Sequence, residues 1–197
     1  MTFHNKLGSQ ADKVTRVSAL TKILAKQLLC DIEDAVKSAN ICKSDLASEM
    51  VYEFPELQGV MGRYYALRAG YSEDVAKVCE EHYAPKGPND PVPTASISVA
   101  VSLADKLDTL LGFWTIDEKP TSSKDPFALR RAALGVIRII LENDVELDLV
   151  EVLNAHFEHL SKFGNHPHAV SDVMNFIRDR FKIYLRDKNI RYDVVDA

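Results

Sequence analysis

The sequence predicts an all-α fold: one compact helical body with a C-terminal helical extension. Apolar residues recur at steps of three and four along most of the chain, and no run sustains the period-two alternation of a strand. Stretches rich in proline and glycine punctuate the periodic segments. No internal repeat and no low-complexity tract is present.

From Asp12 to Leu29, Val14, Val17, Leu20, Leu24 and Leu28 share one face of a first, core-facing helix. Ser44 is placed to cap a second helix carrying Leu46, Met50 and Val51 until Pro55 interrupts it. A helical stretch follows from Glu56 to about Leu67, and Gly70 breaks it. Ser72, Glu73 and Asp74 then start a helix that carries Val75, Val78 and Cys79 towards His82. Four prolines and a glycine between Pro85 and Pro93 make Ala84 to Pro93 a loop.

The segment from Ala95 to Leu111 is apolar on nearly all sides, as expected of a helix at the centre of a bundle, with Gly112 ending it. Asp105 inside it is conspicuous. After a loop from Thr115 to Ser123, a helix is expected to start near Asp125, with Pro126 in its first turn. Its apolar stripe is Leu129, Ala132, Ala133, Val136, Ile137 and Ile140. Two further helices are expected over Leu147 to Lys162 and Ala169 to Lys188. Gly164 to His168 forms the weak joint between them, so the division expected is residues 1–165 and 166–197.

A chain of 197 residues with 46% hydrophobic content buries a real core. Its net charge of −5 and pI near 5.7 exclude a protein that coats nucleic acid through global positive charge, so RNA contact requires a local basic patch. Cys30, Cys42 and Cys79 have no C-x-x-C spacing, which suggests neither a disulfide framework nor a cysteine zinc site and fits a reducing cytosol. No apolar stretch reaches the roughly 18 residues that span a bilayer, and no signal-peptide pattern opens the chain. A soluble, cytoplasmic protein with no membrane partner is expected.

Three constellations could carry chemistry. Asp45, His82 and Asp105 stand on three helices and are of a type suited to holding a divalent metal that activates water. Equally, Asp45 could favour a helix dipole and Asp105 pair with a buried cation. Lys124, Arg131 and Arg138 are spaced by seven, with Arg130 beside them, a row that either tracks phosphates or forms a solvated helix face. His156, His159, His166 and His168 have spacings superficially like a zinc site but lack completing ligands, so they read as an exposed, idle cluster. A second basic run, Arg178, Arg180, Lys182, Arg186, Lys188 and Arg191, is diluted by Asp172, Asp179 and Asp187 and reads as a salt-bridged surface. Phosphate-loop, dinucleotide-fingerprint and nucleophile-elbow motifs are all absent, so no self-contained ATP-using or hydrolytic enzyme is written here.

Several long strings carry a family resemblance: EFPELQGVMGRYYA (Glu53 to Ala66), EHYAPKGPNDPVP (Glu81 to Pro93), LADKLDTLLGF (Leu103 to Phe113) and PTSSKDPFALRRAALGVIRII (Pro120 to Ile140). The opening Phe3 to Val17 and closing Phe176 to Ala197 join them. Together they resemble the β subunit of bacterial α2β2 glycyl-tRNA synthetase, a longer protein, of which this chain would be an internal segment.

The resemblance implies an HD-domain-like helical bundle, with the last helix leading toward an anticodon-binding domain. It implies glycine tRNA and the synthetase α subunit as partners, and ATP and magnesium as needs of the full ligase, with no cofactor in this segment itself. LADKLDTL resembles the helix bearing the distal metal aspartate of HD phosphohydrolases, which would be Asp105, and KSDL would put Asp45 at the acid of the His-Asp pair. Ser44 stands where that pair has its histidine, and the first helix has no histidine. Loss of two imidazoles weakens the alternative of a metal-dependent HD-type phosphohydrolase. What remains is a noncatalytic tRNA-binding or scaffold module.

Overall fold

The computed structural model describes residues 1–164 and 166–190. A short antiparallel hairpin of β1 (Thr2–His4) and β2 (Gly8–Ser9), not expected from the periodicity, precedes the first helix. Gly8 turns it at φ +87°, a left-handed backbone that favours glycine. Ser9 and Asp12 then cap α1 (Gln10–Gln27) reciprocally: the Ser9 hydroxyl accepts the Asp12 amide, and the Asp12 carboxylate accepts the Ser9 amide at 2.7 Å.

Along α1 the expected stripe of Val17, Leu20 and Leu24 is buried, and so are Lys13 and Arg16 on the same side. The next helix, α2 (Ile32–Ile41), has no counterpart in the sequence reading. It buries Ala35, Ser38 and Ala39, residues too small and too weakly apolar to raise a periodic signal, and Asp31 caps it by accepting the Asp34 amide at 2.8 Å.

The single helix expected from Ser44 is instead a 3-10 turn over Ser44–Ala47 and then α3 (Glu49–Glu53). Ser44 caps nothing, because the extended backbone of Ser48 breaks the run and the Ser48 hydroxyl caps α3. A second 3-10 turn at Pro55–Leu57 leads into α4 (Val60–Arg68). Ser72 caps α5 (Glu73–Glu81) as expected.

The central helix α6 (Ser96–Thr115) runs through Gly112 rather than stopping there. Gly112 packs against Leu7 and Leu160, so its missing side chain serves close packing and not a cap. Then α7 (Leu129–Glu142) begins later than Asp125, whose carboxylate accepts the Leu129 and Arg130 amides at 2.8 and 3.0 Å. Two more helices, α8 (Leu149–Leu160) and α9 (Ala169–Asp187), complete the described chain.

Around α6 pack α1, α2, α5, α7, α8 and α9, which is why α6 is apolar all round. Leu103, Leu107, Leu110 and Leu111 are wholly buried there, each contributing about 1.5–3 kcal/mol relative to exposure. The expected extension α9 lies on α6, α7 and α8 through Ala169, Val173 and Ile177, and Phe176 packs on Trp114 at 4.7 Å. The proline-rich loop is held to α7, because Arg138 donates to the carbonyls of Gly87 and Asp90 and Asn143 donates to that of Pro93. Among the described residues no helix is long and apolar enough to cross a membrane.

Candidate nucleic-acid interface

A largely buried ion network is strung along α6. At its base Asp108 accepts Arg16 Nε at 2.8 Å, Lys13 Nζ at 3.2 Å and His156 Nε2 at 2.9 Å. Arg16 also donates to the Leu7 carbonyl, tying the hairpin to the core. One turn earlier, Asp105 Oδ1 lies 3.3 Å from Lys13 Nζ and 3.1 Å from Lys43 Nζ. Burial by itself would raise both carboxyls, but Lys13 with Lys43 at Asp105, and Lys13 with His156 at Asp108, hold them well below the usual carboxylate range.

His82, wholly buried at the end of α5, faces the same network. Its Nε2 is 3.1 Å from Lys43 Nζ and its Nδ1 is 2.9 Å from the Val78 carbonyl. An ammonium can only donate, so Nε2 is the acceptor and Nδ1 carries the proton to Val78. Burial and the adjacent Lys43 push its pKa well down, which keeps the ring neutral. Lys106 donates to the carbonyls of His82 and Ala84 and to the Ser102 hydroxyl, and burial brings its pKa down to about 8.

Of the metal trio Asp45, His82 and Asp105, the last two meet only through Lys43. Asp45 lies elsewhere, on the amides of Gly59 and Gly62 at 2.7 and 3.1 Å, where it caps α4 from outside the helix. Among the described residues no group of three His, Cys, Asp or Glu could hold a metal. These side chains do not fit a metal centre, since an ammonium fills the position that His82 and Asp105 would share. The histidine cluster is also not the idle surface expected: His156 is wholly buried on Asp108, and His166 accepts from Lys119, while His159 and His168 are exposed.

The basic row is divided by its surroundings. Arg138 is only 7% exposed and occupied by Glu142, at 2.7 Å, and by the loop carbonyls, which removes it from any phosphate-facing set. Lys124 is exposed on the loop before α7, not on the helix. Arg130 is half-buried against Asp125 and donates to the Thr121 carbonyl. Arg131 is exposed and makes no hydrogen bond or ion pair among the described residues.

Two clefts meet at Arg131 and Pro85. One, of about 250 Å³, lies between the proline-rich loop, α7 and α9, with Arg130, Arg180, Tyr184 and Asp187 in its walls. The other, of about 330 Å³, has Tyr83, Lys86, Asp105, Lys106 and Phe127 around it. Arg180 packs over Phe176 and its Nε is buried without a partner, so the C-terminal basic run adds one cation to this face. Arg191 of that run lies outside the described residues.

Comparison with known proteins gives a consistent family. The profile described as "Glycyl-tRNA synthetase beta subunit" matches residues 1–197. The glycine--tRNA ligase beta subunit of Ruegeria sp. (strain TM1040) is 56% identical over 197 residues, covering 100% of this chain and 28% of that protein. Those of Dinoroseobacter shibae and Paracoccus denitrificans are 50% and 54% identical over the whole chain, which covers 31% and 28% of their lengths. The chain therefore spans under a third of these curated relatives.

Proposed function

The chain belongs to the glycyl-tRNA synthetase β-subunit family, and from that premise we propose that it is a tRNA-docking module, noncatalytic by itself, within the ligase that charges tRNA with glycine. The observation that carries the reading is the convergence of Arg130, Arg131 and Arg180 in one cleft of an otherwise acidic body, with Lys124 exposed on the loop that precedes α7. Phosphates of a folded RNA are met by such a patch through charge and shape, while the acidic remainder limits non-specific association.

Glycine activation with ATP and magnesium belongs, in this reading, to the synthetase α subunit, the second partner in an α2β2 assembly in the cytoplasm. The helical body is an HD-like scaffold that has exchanged its metal for internal lysines. The last helix, α9, leads toward an anticodon-binding domain. The phosphohydrolase alternative gains no support, because Lys43 occupies the space between His82 and Asp105 and Asp45 is engaged by α4 amides.

The salt dependence of glycine tRNA binding tests the proposal. Each phosphate contact removed should lower the slope of log K against log salt by about one. Arg131→Gln is expected to do so, and an unchanged slope together with unchanged affinity would contradict the proposed face.

A further inference from the structure

We propose that the cleft bounded by Tyr83, Lys86, Phe127 and Arg131 is a metal-independent phosphoryl-binding pocket, in which buried lysines supply the positive field. Four cations, Lys13, Arg16, Lys43 and Lys106, are buried along α6 against the two carboxylates of Asp105 and Asp108, an excess of two positive charges. Asp45, which is buried like Asp108, faces the amides of α4, and Arg138 has Glu142. Uncompensated charge in a low-dielectric interior is costly, and an oxyanion at the open side of the network would relieve it.

The open side is equipped to hold one. Arg131 has no partner among the described residues, and Lys86 is exposed with its ammonium 5.7 Å from the Tyr83 ring. These two are the direct donors. Lys106 gives its three protons to His82, Ala84 and Ser102, so it acts through its charge alone, as do Lys13 and Lys43. Asp105 also lines the pocket, but two ammonium groups already sit on its Oδ1. Phe127, 37% exposed and stacked on Phe113 at 4.1 Å, offers an apolar wall to the ribose or base that carries the phosphate.

This proposal shares Arg131 with the tRNA-docking face but concerns one small site, which Lys86 and small phosphoryl ligands test separately from docking of a whole tRNA. The experiment is calorimetric titration of the 197-residue chain with pyrophosphate and with AMP, in EDTA. Saturable binding in the millimolar range or tighter is expected, weakened roughly ten-fold or more by Lys86→Gln or Arg131→Gln, as loss of a charge-assisted hydrogen bond requires. Lys43→Met should weaken it without touching the mouth of the pocket; should that variant not fold, the two surface variants still decide. A short oligoribonucleotide that displaces AMP would assign the site to an RNA phosphate, and one that does not would assign it to a free nucleotide, either result upholding the pocket. Absence of saturable binding, or equal affinity in both surface variants, would overturn it. Glycine tRNA binding that persists in a chain indifferent to AMP and pyrophosphate would leave the RNA face standing and remove only the pocket.

Discussion

The ammonium of Lys43 lies 3.1 Å from His82 Nε2 and 3.1 Å from Asp105 Oδ1, bridging an imidazole and a carboxylate that come from different helices. A tethered cation thus joins the end of α5 to α6. The bridge makes the interior electrostatically interdependent, because Asp105 in turn shares Lys13 with Asp108.

Asp108 is the anion on which α1 and α8 both depend. Asp108→Asn leaves Lys13, Arg16 and His156 with one carboxylate fewer in a fully buried site, and about 3–5 kcal/mol of stability should be lost. Urea unfolding followed by circular dichroism measures it. A loss under about 1 kcal/mol would mean that the network is not what joins these helices.

Stability should fall in acid. The folded-state pKa values of Asp105 and Asp108 are depressed, so the stability they contribute is complete above the unfolded carboxyl value, near 4, and is lost as pH falls through their folded values. The wild-type unfolding midpoint should therefore drop below about pH 4 more steeply than that of Asp108→Asn.

Lys106 predicts the opposite end of the scale. Its folded pKa of about 8 lies below the ordinary 10.5, so the unfolded chain binds more protons between these values and stability rises with pH there. Relative to Lys106→Met, the wild type should gain up to about 3 kcal/mol from pH 8 to 10.5, read from paired denaturant curves. No change in the difference would show Lys106 to be solvated.

Thiol chemistry should separate the cysteines. Burial pushes Cys42 and Cys79 up to about 12, whereas Cys30 is half-buried and shifted upward without so large a change. A disulfide reagent at pH 8 should titrate about one thiol in the native chain and all three in denaturant. Rapid native labelling of Cys42 would contradict the packing of α2.

Gly135→Ala tests the packing between α6 and α7. In an exposed helix interior the change would stabilise by about 1 kcal/mol. Here the new Cβ would lie 2.7 Å from Lys106 Cε, and three hydrogen bonds pin that side chain, so a loss of about 1–3 kcal/mol is expected in thermal unfolding.

Helices with a large apolar stripe were legible from sequence: α1, α6, α7 and α9 were all expected, although α6 runs past Gly112 and α7 starts at Leu129 rather than near Asp125. The small residues of α2 left no stripe, and the caps at Ser48 and Asp125 moved two helix starts, because caps depend on backbone angles that periodicity does not report. The buried network had a sign that was read, Asp105 inside the apolar central helix with a buried cation as its expected partner, and one that was not, Lys13 and Arg16 on the apolar face of α1 with Val17 and Leu20. Arg138 misled because a spacing of seven puts residues on one face without saying whether a loop covers that face, and here the proline-rich loop covers it. His156 was misread for a different reason: its partner Asp108 is distant in sequence and lies on another helix.

The most direct test is a low-salt fluorescence-anisotropy titration of glycine tRNA with the wild-type chain and with a folded Lys124→Glu, Arg130→Glu, Arg131→Glu variant. The wild type should bind, and the reversed charges should reduce affinity by at least about ten-fold with matched circular dichroism spectra. Equal binding by the two folded proteins would contradict the proposed docking face.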